Sequence, residues 1–360
     1  MSKVIVGMSG GVDSSVTAYL LRKAGYDVEG ISFLLFETRG RKDPRACCSL
    51  EAIQDAAHSA GKVGIPHTVI DLRNEFIERV IDPFVNAYLE GKTPNPCILC
   101  NEYIKFPYLL READLRGAEF ISTGHYARVM RIDEKGYLQK GIDPAKDQSY
   151  FLYVLDRATL QRLLLPLGEY RKEDVRKVAR ELDLPSAKRP ESVEICFVEN
   201  RDYTGLIRAF FPEAEKPGPI IGPDGTRLGT HTGIFNYTIG QRRGLNIAYT
   251  EPLYVARIDP EENTIYVDTR DNIYAKEVVI NNINWIGSPA VPDSLSTLQE
   301  IRVTAKIRSM MRDEPATLIA EKGHFRLVFD EPQWPPAPGQ AAVFYDGDFL
   351  IGGGEVYEIQ

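Results

Sequence analysis

The stretch VGMSGGVDSS, residues 6–15, joins an apolar run to a helical pattern through a turn of small and polar residues. The run from Lys3 to Gly7 is short and β-branched, as is typical of a central parallel strand. Gly10 and Gly11 permit positive φ and a close approach of a ligand to the backbone, and Asp13 suits a helix start. A strand, a small-residue loop and a helix N-terminus together form an anion site. The loop therefore predicts a bound phosphate or pyrophosphate, with a tight turn that holds no ligand as the alternative.

Strands and helices alternate through the first third of the chain. This alternation predicts an α/β fold with a doubly wound parallel sheet, whose ligands bind beyond the carboxyl ends of the strands. A hairpin is expected over 127–142, with its turn at 133–136, and two further helices over 156–163 and 171–182. The predicted strands lie near 3–7, 28–33, 67–70 and 119–123, and the predicted helices near 14–24, 49–62, 75–90 and 103–116.

The character of the sequence changes near residue 200. Turn clusters and short strands near 253–258 and 264–268 predict a small, mostly-β module, and regularly spaced strands after it predict a C-terminal β-barrel. The barrel strands are expected near 276–285, 300–308, 315–321, 325–330, 340–345 and 349–358. The predicted domains are 1–202 (catalytic), 203–275 (central) and 276–360 (barrel).

The composition excludes several classes of protein. A hydrophobic fraction of 43% can fill ordinary cores. No apolar run reaches about 18 residues and no signal peptide is recognised, so neither a membrane span nor a membrane partner is expected. Five cysteines, an odd number, fit a reducing cytoplasm better than a disulfide scaffold. The net charge of −8 gives no general attraction to nucleic acid, so RNA binding requires local basic patches.

Three cysteines stand in contexts that suggest chemistry. In TPNPCILCN, residues 93–101, two prolines rigidify a loop, and Cys97 and Cys100 lie near a new helix start, where the dipole favours a thiolate. The pair is open to three interpretations: inert core cysteines, a redox or sulfur-transfer pair, or ligands of a metal or cluster. Cys196 is either strand core or a chemical partner. Cys47 and Cys48 are taken as structural.

Seven motifs occur in a fixed order along nearly the whole chain: SGGVDSS, TPNPCILCN, STGHYA, KDQSYFL, EICF, GQRRGL and PGQAAVFYDGD. The first lacks the lysine of a Walker A loop and the spacing of a Rossmann loop, and it resembles the pyrophosphate loop of the PP-loop ATPases. Together the seven resemble the tRNA-specific 2-thiouridylases of the MnmA/TrmU type. The resemblance implies an adenine nucleotide alpha hydrolase-like fold. It also implies an ATP-dependent exchange of oxygen for sulfur at C2 of the wobble uridine, in tRNAs for Lys, Glu and Gln.

The resemblance assigns roles to residues at matching positions. Cys100 matches the nucleophile, Cys196 matches the cysteine that carries a persulfide, and Asn95, Pro96 and Cys97 would flank the target base. The ATP-binding positions are Gly7, Met8, Ser9, Gly10, Gly11, Val12, Asp13, Ser14, Phe33 and Gly124. The tRNA-contacting positions are His125, Lys146, Asp147, Gln148, Arg308, Ser309 and Gln340.

The expected chemistry joins ATP and Mg²⁺ to a persulfide. Adenylation makes the uracil oxygen part of AMP, a good leaving group, and the persulfide sulfur then attacks C2. The implied partners are tRNA and a sulfur donor, either a cysteine desulfurase or a sulfur-carrier protein.

Cys97 departs from the family pattern, in which many members carry an aspartate proposed as a general acid or base. An unperturbed thiol has a pKa of about 8.5, against about 3.9 for aspartate. Cys97, Cys100 and Cys196 could instead hold three irons of a [4Fe–4S] cluster, which makes a cluster-based thiolation the second hypothesis. An RNA-binding protein with ATP as a structural ligand is the non-enzyme alternative.

The predicted strand over 301–308 offers a basic face. Alternation places Arg302, Thr304, Lys306 and Arg308 on one side, which is expected to face solvent or RNA phosphates. Arg242 and Arg243 offer a second basic patch in the central module.

Overall fold

The computed structural model describes residues 1–36, 50–188, 195–198, 202–291, 299–321 and 323–359. Its N-terminal sheet contains β1 (Lys3–Gly7), β2 (Asp27–Leu34), β3 (His67–Asp71), β4 (Phe120–Ser122) and β7 (Leu163–Leu164), in the order β3-β2-β1-β4-β7. All neighbouring pairs in this sheet are parallel. The predicted doubly wound sheet is confirmed, and β1 lies where the strand order reverses. Sequence reasoning missed only the two-residue β7 at its edge.

Helices cover both faces of this sheet because β1 is apolar on both sides. Val4 and Val6 pack with α1 (Val12–Lys23), α2 (Leu50–Val63) and α8 (Lys172–Glu181). Ile5 points the other way and packs with α6 (Phe106–Leu115) and α7 (Arg157–Arg162). The fully buried strand is what a parallel sheet with two helical layers requires.

Two helical runs contain π-helical segments. The first comprises α3 (Arg73–Phe76), a π segment over Ile77–Ile81 and α4 (Asp82–Leu89). The second comprises α5 (Pro96–Leu99), a π segment over Cys100–Lys105 and α6. The second run carries the cysteine motif at its start, and such π segments are common near functional sites.

The hairpin that follows β4 belongs to the distant barrel rather than to the N-terminal sheet. Its strands β5 (Ala127–Ile132) and β6 (Lys135–Lys140) meet at a two-residue turn with positive φ at Asp133 and Glu134. β6 pairs antiparallel with β17 (Phe349–Ile359). This pairing makes one continuous sheet out of segments that lie about two hundred residues apart.

The central module combines one helix with a small sheet. α9 (Tyr203–Phe210) precedes β8 (Gly218–Ile221), β9 (Arg227–His231), β10 (Leu253–Asp259) and β11 (Thr264–Thr269). The strands are ordered β10-β11-β8-β9 around a core that includes Ile220, Val255 and Ile265. The strands expected near 253–258 and 264–268 are therefore present.

The C-terminal strands close into a barrel, as predicted. They are β12 (Ala275–Trp285), β13 (Glu300–Lys306), β14 (Glu314–Glu321), β15 (His324–Gln333), β16 (Ala341–Asp346) and β17. The order β12-β15-β14-β13-β16-β17 is closed by a direct pairing of β12 with β17. Closure removes the exposed strand edges that an open sheet would present.

The basic face predicted for β13 is solvent-facing at Arg302, but the prediction is wrong at Lys306. Lys306 is buried, and its Nζ donates to Asp147 Oδ2 at 3.3 Å and lies 5.4 Å from the centre of the Tyr345 ring. Arg302 is exposed but paired with Asp330 at 2.8 Å. Alternation correctly grouped Arg302, Thr304 and Lys306 on one face of the strand. The β5–β6 hairpin and the segment after it cover the part of that face that carries Lys306.

Asp147 is the centre of this junction. Its Oδ1 accepts from the backbone N–H groups of Gly141 and Ser149, both at 3.1 Å, and its Oδ2 accepts from the Ser149 hydroxyl at 3.0 Å. Its side chain is only 4% exposed, so this proposed tRNA contact lies inside the protein. Burial and the nearby charge of Asp147 raise the pKa of Tyr345 far above its usual range.

No helix in the described part of the chain is both long and apolar enough to cross a membrane.

We expect Lys306→Met to lower the free energy of unfolding by about 3 kcal/mol, because it leaves the Asp147 carboxylate buried without its cation. Asp147→Asn combined with Lys306→Met should cost less than Lys306→Met alone. Urea unfolding followed by tryptophan fluorescence measures this, since the chain's two tryptophans, Trp285 and Trp334, lie in or directly beside barrel strands.

The matched control is Arg302→Met, which breaks an exposed ion pair and should cost less than about 1 kcal/mol. Equal losses for Lys306→Met and Arg302→Met would show that the junction is not a buried charge pair.

Candidate active site

The glycine loop lies at the carboxyl end of β1 and opens α1. Gly11 is the N-cap residue of α1 and makes no side-chain cap hydrogen bond, while the hydroxyls of Ser14 and Ser15 donate to its carbonyl at 3.2 and 3.0 Å. The backbone N–H of Ser9 donates to Ser14 Oγ at 3.1 Å. The cap is therefore a glycine rather than the expected polar side chain, which leaves the start of α1 accessible to an anion.

The position of Gly10 has no room for a side chain. Its φ is +75°, and a Cβ there would lie 2.1 Å from the carbonyl oxygen of Ala52 in α2. The close contact holds the loop against α2 and fixes the direction of its backbone.

The loop after β4 packs directly against the glycine loop. A Cβ at Gly124 would lie 2.8 Å from the backbone nitrogen of Ser14. Phe33, at the end of β2, is half-buried and packs edge-on against Tyr108, with ring centres 6.4 Å apart. The three predicted elements of the nucleotide site therefore lie at the carboxyl ends of neighbouring strands.

A lysine that sequence reasoning missed lies beside the loop. Lys172 Nζ donates to both carboxylate oxygens of Asp13 at 2.7 Å, and the Tyr126 hydroxyl donates to Asp13 Oδ1 at 2.7 Å. Lys172 Nζ also lies 5.3 Å from the centre of the Tyr126 ring. The Lys172 side chain is 11% exposed, and Asp13, 159 residues earlier in the chain, holds its ammonium group at the glycine loop. No local sequence pattern predicts this ion pair, because the charged start of α8 resembles an ordinary solvent-exposed helix end.

The cysteine loop begins a helix in the predicted way. Asn95 is the N-cap of α5, and its Oδ1 accepts from the backbone N–H of Cys97 at 3.1 Å, with Pro96 in the first helical turn. Cys97 is exposed, whereas Cys100 is half-buried. The Asn95 side chain is thus engaged in capping, in the position expected to flank the target base.

Cys100 and Cys196 pack against the same apolar cluster, which contains Phe76, Phe84 and Phe197. The Phe197 ring contacts those of Phe76 and Phe84 edge-on at 5.6 and 5.4 Å and so anchors the turn that carries Cys196. Cys196 lies in a turn over 195–198, and not in a strand. The structure thus places two of the three predicted cysteines against one apolar cluster.

The three cysteines do not form a cluster site. Within the described ranges, which include Cys97, Cys100 and Cys196, no three His, Cys, Asp or Glu side chains are placed to hold a metal ion. These residues therefore do not fit a [4Fe–4S] cluster. Cys47 and Cys48 lie outside the described residues.

His125 is a neutral imidazole at neutral pH. Burial, together with the nearby Lys105 ammonium, lowers its pKa well below the usual range. Its Nδ1 lies 2.8 Å from the Thr123 hydroxyl, and its ring stacks on Phe106 at 5.9 Å. The ring is thereby held between the loop after β4 and the start of α6.

Thr93 of the cysteine loop packs against Pro338 and Gly339 between two barrel strands, and we call this junction the seam. The other proposed tRNA contacts have the following partners. Gln148 Oε1 accepts from the backbone N–H of Tyr126 at 3.0 Å, and Arg308 donates to the carbonyls of Ile239 and Pro335. Lys146 is half-buried just before the buried Asp147, and Ser309 is half-buried beside Arg308.

Buried polar atoms without a protein partner are concentrated along the same seam. They are Thr93 Oγ1, Asn101 Oδ1, Arg308 Nε and Gln340 Oε1, and among the described residues only Thr17 and Ser59 carry others. Gly339, next to Gln340, packs on the Thr93 backbone, and Thr93 N donates to the Pro338 carbonyl at 2.8 Å. Such groups are costly unless something else satisfies them, which marks the seam as a place for a polar ligand.

Comparisons with known proteins match the chain in three successive parts. Family models described as tRNA methyl transferase HUP domain, tRNA methyl transferase PRC-barrel domain and aminomethyltransferase beta-barrel domain match residues 2–200, 208–269 and 275–356. The chain is 46% identical, over 98% of its length and 97% of the relative's, to tRNA-specific 2-thiouridylase MnmA 2 of Thermoanaerobacter sp. (strain X514). The chain belongs to the tRNA-specific 2-thiouridylase family.

Two further relatives extend the similarity. MnmA of Clostridioides difficile (strain 630) is 42% identical and MnmA of Carboxydothermus hydrogenoformans is 43% identical, each over 98% of this chain and 97% of the relative. The family identified from the seven motifs is confirmed. The glycine loop, the two cysteines and the seam are therefore features of a member of the 2-thiouridylase family.

Gly10→Ala should lower ATP affinity by about a hundredfold, because the added Cβ forces the loop away from α2 and misdirects its N–H groups. Isothermal titration calorimetry with a non-hydrolysable ATP analogue measures the change. Gly25→Ala is the matched control, since Gly25 has φ of +89° but no atom within 4 Å of an added Cβ. It should cost about 1 kcal/mol of stability and leave ATP affinity unchanged. A Gly10→Ala protein with unaltered ATP affinity would contradict the assignment of the loop.

Proposed function

We propose that this protein is an ATP-dependent tRNA-uridine 2-sulfurtransferase. Its substrate is the wobble uridine of tRNAs of the Lys, Glu and Gln type, and its sulfur passes through a cysteine persulfide. The observation that carries the proposal is that two features occur together. One is a glycine loop at the point where the strand order reverses, and the other is two cysteines that pack against one apolar cluster. The family membership supports the same reaction.

The glycine loop holds the phosphates of ATP. The accessible N–H groups at the start of α1 and its helix dipole favour an anion. Phe33 and Gly124 border the space beyond the strand ends where the nucleoside belongs. Lys172, held by Asp13 without a ligand, can contact a phosphate oxygen when the triphosphate is bound, which frees the Asp13 carboxylate. That carboxylate is the residue that would hold Mg²⁺, and the ion supplies neutralisation of the pyrophosphate charge.

The first chemical step is adenylation of the base. The C2 oxygen of the uracil attacks the α-phosphorus of ATP, the bond between the α-phosphorus and the bridging oxygen breaks, and pyrophosphate leaves. The uracil loses its N3 proton to a base in this step. Cys97, exposed at the start of α5, is proposed to transfer this proton in place of the aspartate that many relatives carry.

The second step transfers sulfur. A sulfur donor, either a cysteine desulfurase or a sulfur-carrier protein, charges Cys196 as a persulfide. The terminal sulfur attacks C2, and the bond from C2 to the AMP oxygen breaks. The Cys100 thiolate then attacks Cys196 Sγ, which releases the 2-thiouridine and leaves a disulfide between the two cysteines. A dithiol reductant restores both thiols.

The neutral state of His125 suits this scheme. A neutral imidazole at the edge of the nucleotide site neither repels Lys105 nor neutralises the phosphates. It offers a flat ring, stacked on Phe106, at the position where the resemblance expects contact with tRNA. A base taken out of its stack is typically received on such ring faces.

The alternatives receive less support. A [4Fe–4S] cluster requires three converging cysteines, and among the described residues no three potential ligands are placed to hold a metal ion. A purely RNA-binding protein would need neither the glycine loop nor the two cysteines on one cluster.

Cys100→Ser and Cys196→Ser should each abolish thiolation while keeping tRNA-dependent release of pyrophosphate. The reason is that both thiols act after adenylation. Retarded migration of tRNA in a mercury-containing gel measures thiolation, and a coupled assay measures pyrophosphate.

Cys47→Ser and Cys48→Ser are the control variants, and both should keep thiolation. Cys97→Asp should also remain active with a persulfide donor, because aspartate can perform the proton transfer. Thiolation by Cys196→Ser would refute the persulfide route, and loss of both iron and activity in Cys97→Asp would favour the cluster.

A further inference from the structure

An aromatic and basic surface joins the central module to the barrel. Trp334 contacts Tyr254 and Tyr274 edge-on, with ring centres 5.4 and 5.5 Å apart. The Arg270 guanidinium carbon lies 5.9 Å from the Trp334 ring centre, and Arg270 Nη2 donates to the Tyr274 hydroxyl at 3.2 Å. Tyr254 and Arg270 come from the central module, and Tyr274 and Trp334 flank barrel strands.

The turn that carries Arg242 and Arg243 is built onto the same tryptophan. Gly240 has φ of +83°, and a Cβ there would lie 2.7 Å from Trp334 Nε1. The Gly240 N–H donates to the Val255 carbonyl at 2.8 Å, and Gln241 Nε2 donates to the Arg243 carbonyl at 2.9 Å. The backbone of the turn is fixed, while both arginines are exposed. We call Arg242, Arg243, Arg270, Tyr254, Tyr274 and Trp334 the aromatic–arginine patch.

Arginines at the surface of the chain differ in whether a carboxylate pairs with them. Arg302 and Arg326 on the barrel are paired with carboxylates at 2.8 Å. Arg242, Arg243 and Arg270 form no salt bridge with any carboxylate among the described residues. In a chain with a net charge of −8, Arg242 and Arg243 on one exposed turn add local positive charge, while Arg270 lies next to Asp271 and bonds to Tyr274.

The patch continues into the seam that leads to the cysteines. Arg308 donates to the Ile239 carbonyl, next to Gly240, and to the Pro335 carbonyl, next to Trp334. Arg308 and Gln340 carry two of the unpartnered polar atoms, and Gly339 packs on Thr93 at the start of the cysteine loop. A strand of RNA that enters the seam would therefore pass over the patch.

We propose that the aromatic–arginine patch binds the RNA strand that flanks the target uridine. Arg242 and Arg243 contact phosphates, and the exposed edge of Tyr274, supported by Trp334 and Arg270, receives an unpaired base. Exposed rings next to unpaired cations are the features by which proteins hold single-stranded RNA. This inference rests on the proposed tRNA substrate.

The test is tRNA binding by the full-length chain as a function of salt concentration. Fluorescence anisotropy with labelled unmodified tRNA measures affinity between 50 and 200 mM salt, in the range where such slopes are steep. Arg242→Ala with Arg243→Ala should lower the slope of log affinity against log salt by about 1.4 to 1.8, since each lost phosphate contact contributes about 0.7 to 0.9. Tyr274→Ala should weaken binding about tenfold, and Tyr274→Phe should retain it, because stacking needs the ring.

Arg302→Ala is the matched control, because this arginine is exposed but already paired, and it should change neither affinity nor slope. Unchanged affinity and slope in the Arg242→Ala, Arg243→Ala protein would overturn the proposal. A second result would also overturn it. In this result the patch variants bind tRNA normally, lose thiolation when a donor protein supplies the sulfur, and keep thiolation with sodium sulfide. The patch would then be the binding site for the donor protein. If the patch variants lose tRNA affinity but the wild-type protein never thiolates tRNA, the proposed function fails and the patch stands.

Discussion

The pairing of β6 with β17 is the constraint on which the arrangement of the site depends. The hairpin begins three residues after Gly124, which packs against Asp13 and Ser14, and its second strand adds to the barrel. The buried pair of Lys306 and Asp147 stabilises the same junction. The chain from Gly124 to β6 is short and is fixed at both ends, at the glycine loop and in the barrel sheet. The barrel therefore has a fixed position relative to the nucleotide site.

The distribution of charge follows from the same arrangement. On the barrel, Arg302 and Arg326 are paired with nearby carboxylates, whereas the exposed Arg312 has no such pair among the described residues. Arg242 and Arg243 of the aromatic–arginine patch also lack a carboxylate partner within the described ranges, and Lys172 beside the glycine loop is paired with Asp13. An acidic protein can bind a polyanion through such local positive charge.

Sequence patterns predicted the elements better than their contacts. The β-branched run at 3–7 and the regular strands after 275 depend on local periodicity, and both appear at the expected positions. The positions of Lys172 and Lys306 depend on ion pairs with residues 159 positions away, which no local pattern contains. The basic alternation of β13 is real, but periodicity cannot say which distant segment covers a face. The family resemblance pointed to Cys100 and Cys196, whose roles stay predictions, and the fold places both against one apolar cluster.

The central claim is that the oxygen removed from uridine leaves as part of AMP. A tRNA that carries ¹⁸O at C2 of its wobble uridine, incubated with ATP and a persulfide donor, tests this claim directly. Mass spectrometry of the nucleotide products should find one ¹⁸O in AMP for each 2-thiouridine formed, because the C2 oxygen becomes bonded to the α-phosphorus. Unlabelled AMP accompanying thiolated tRNA would contradict the account, since the oxygen would then have left without adenylation.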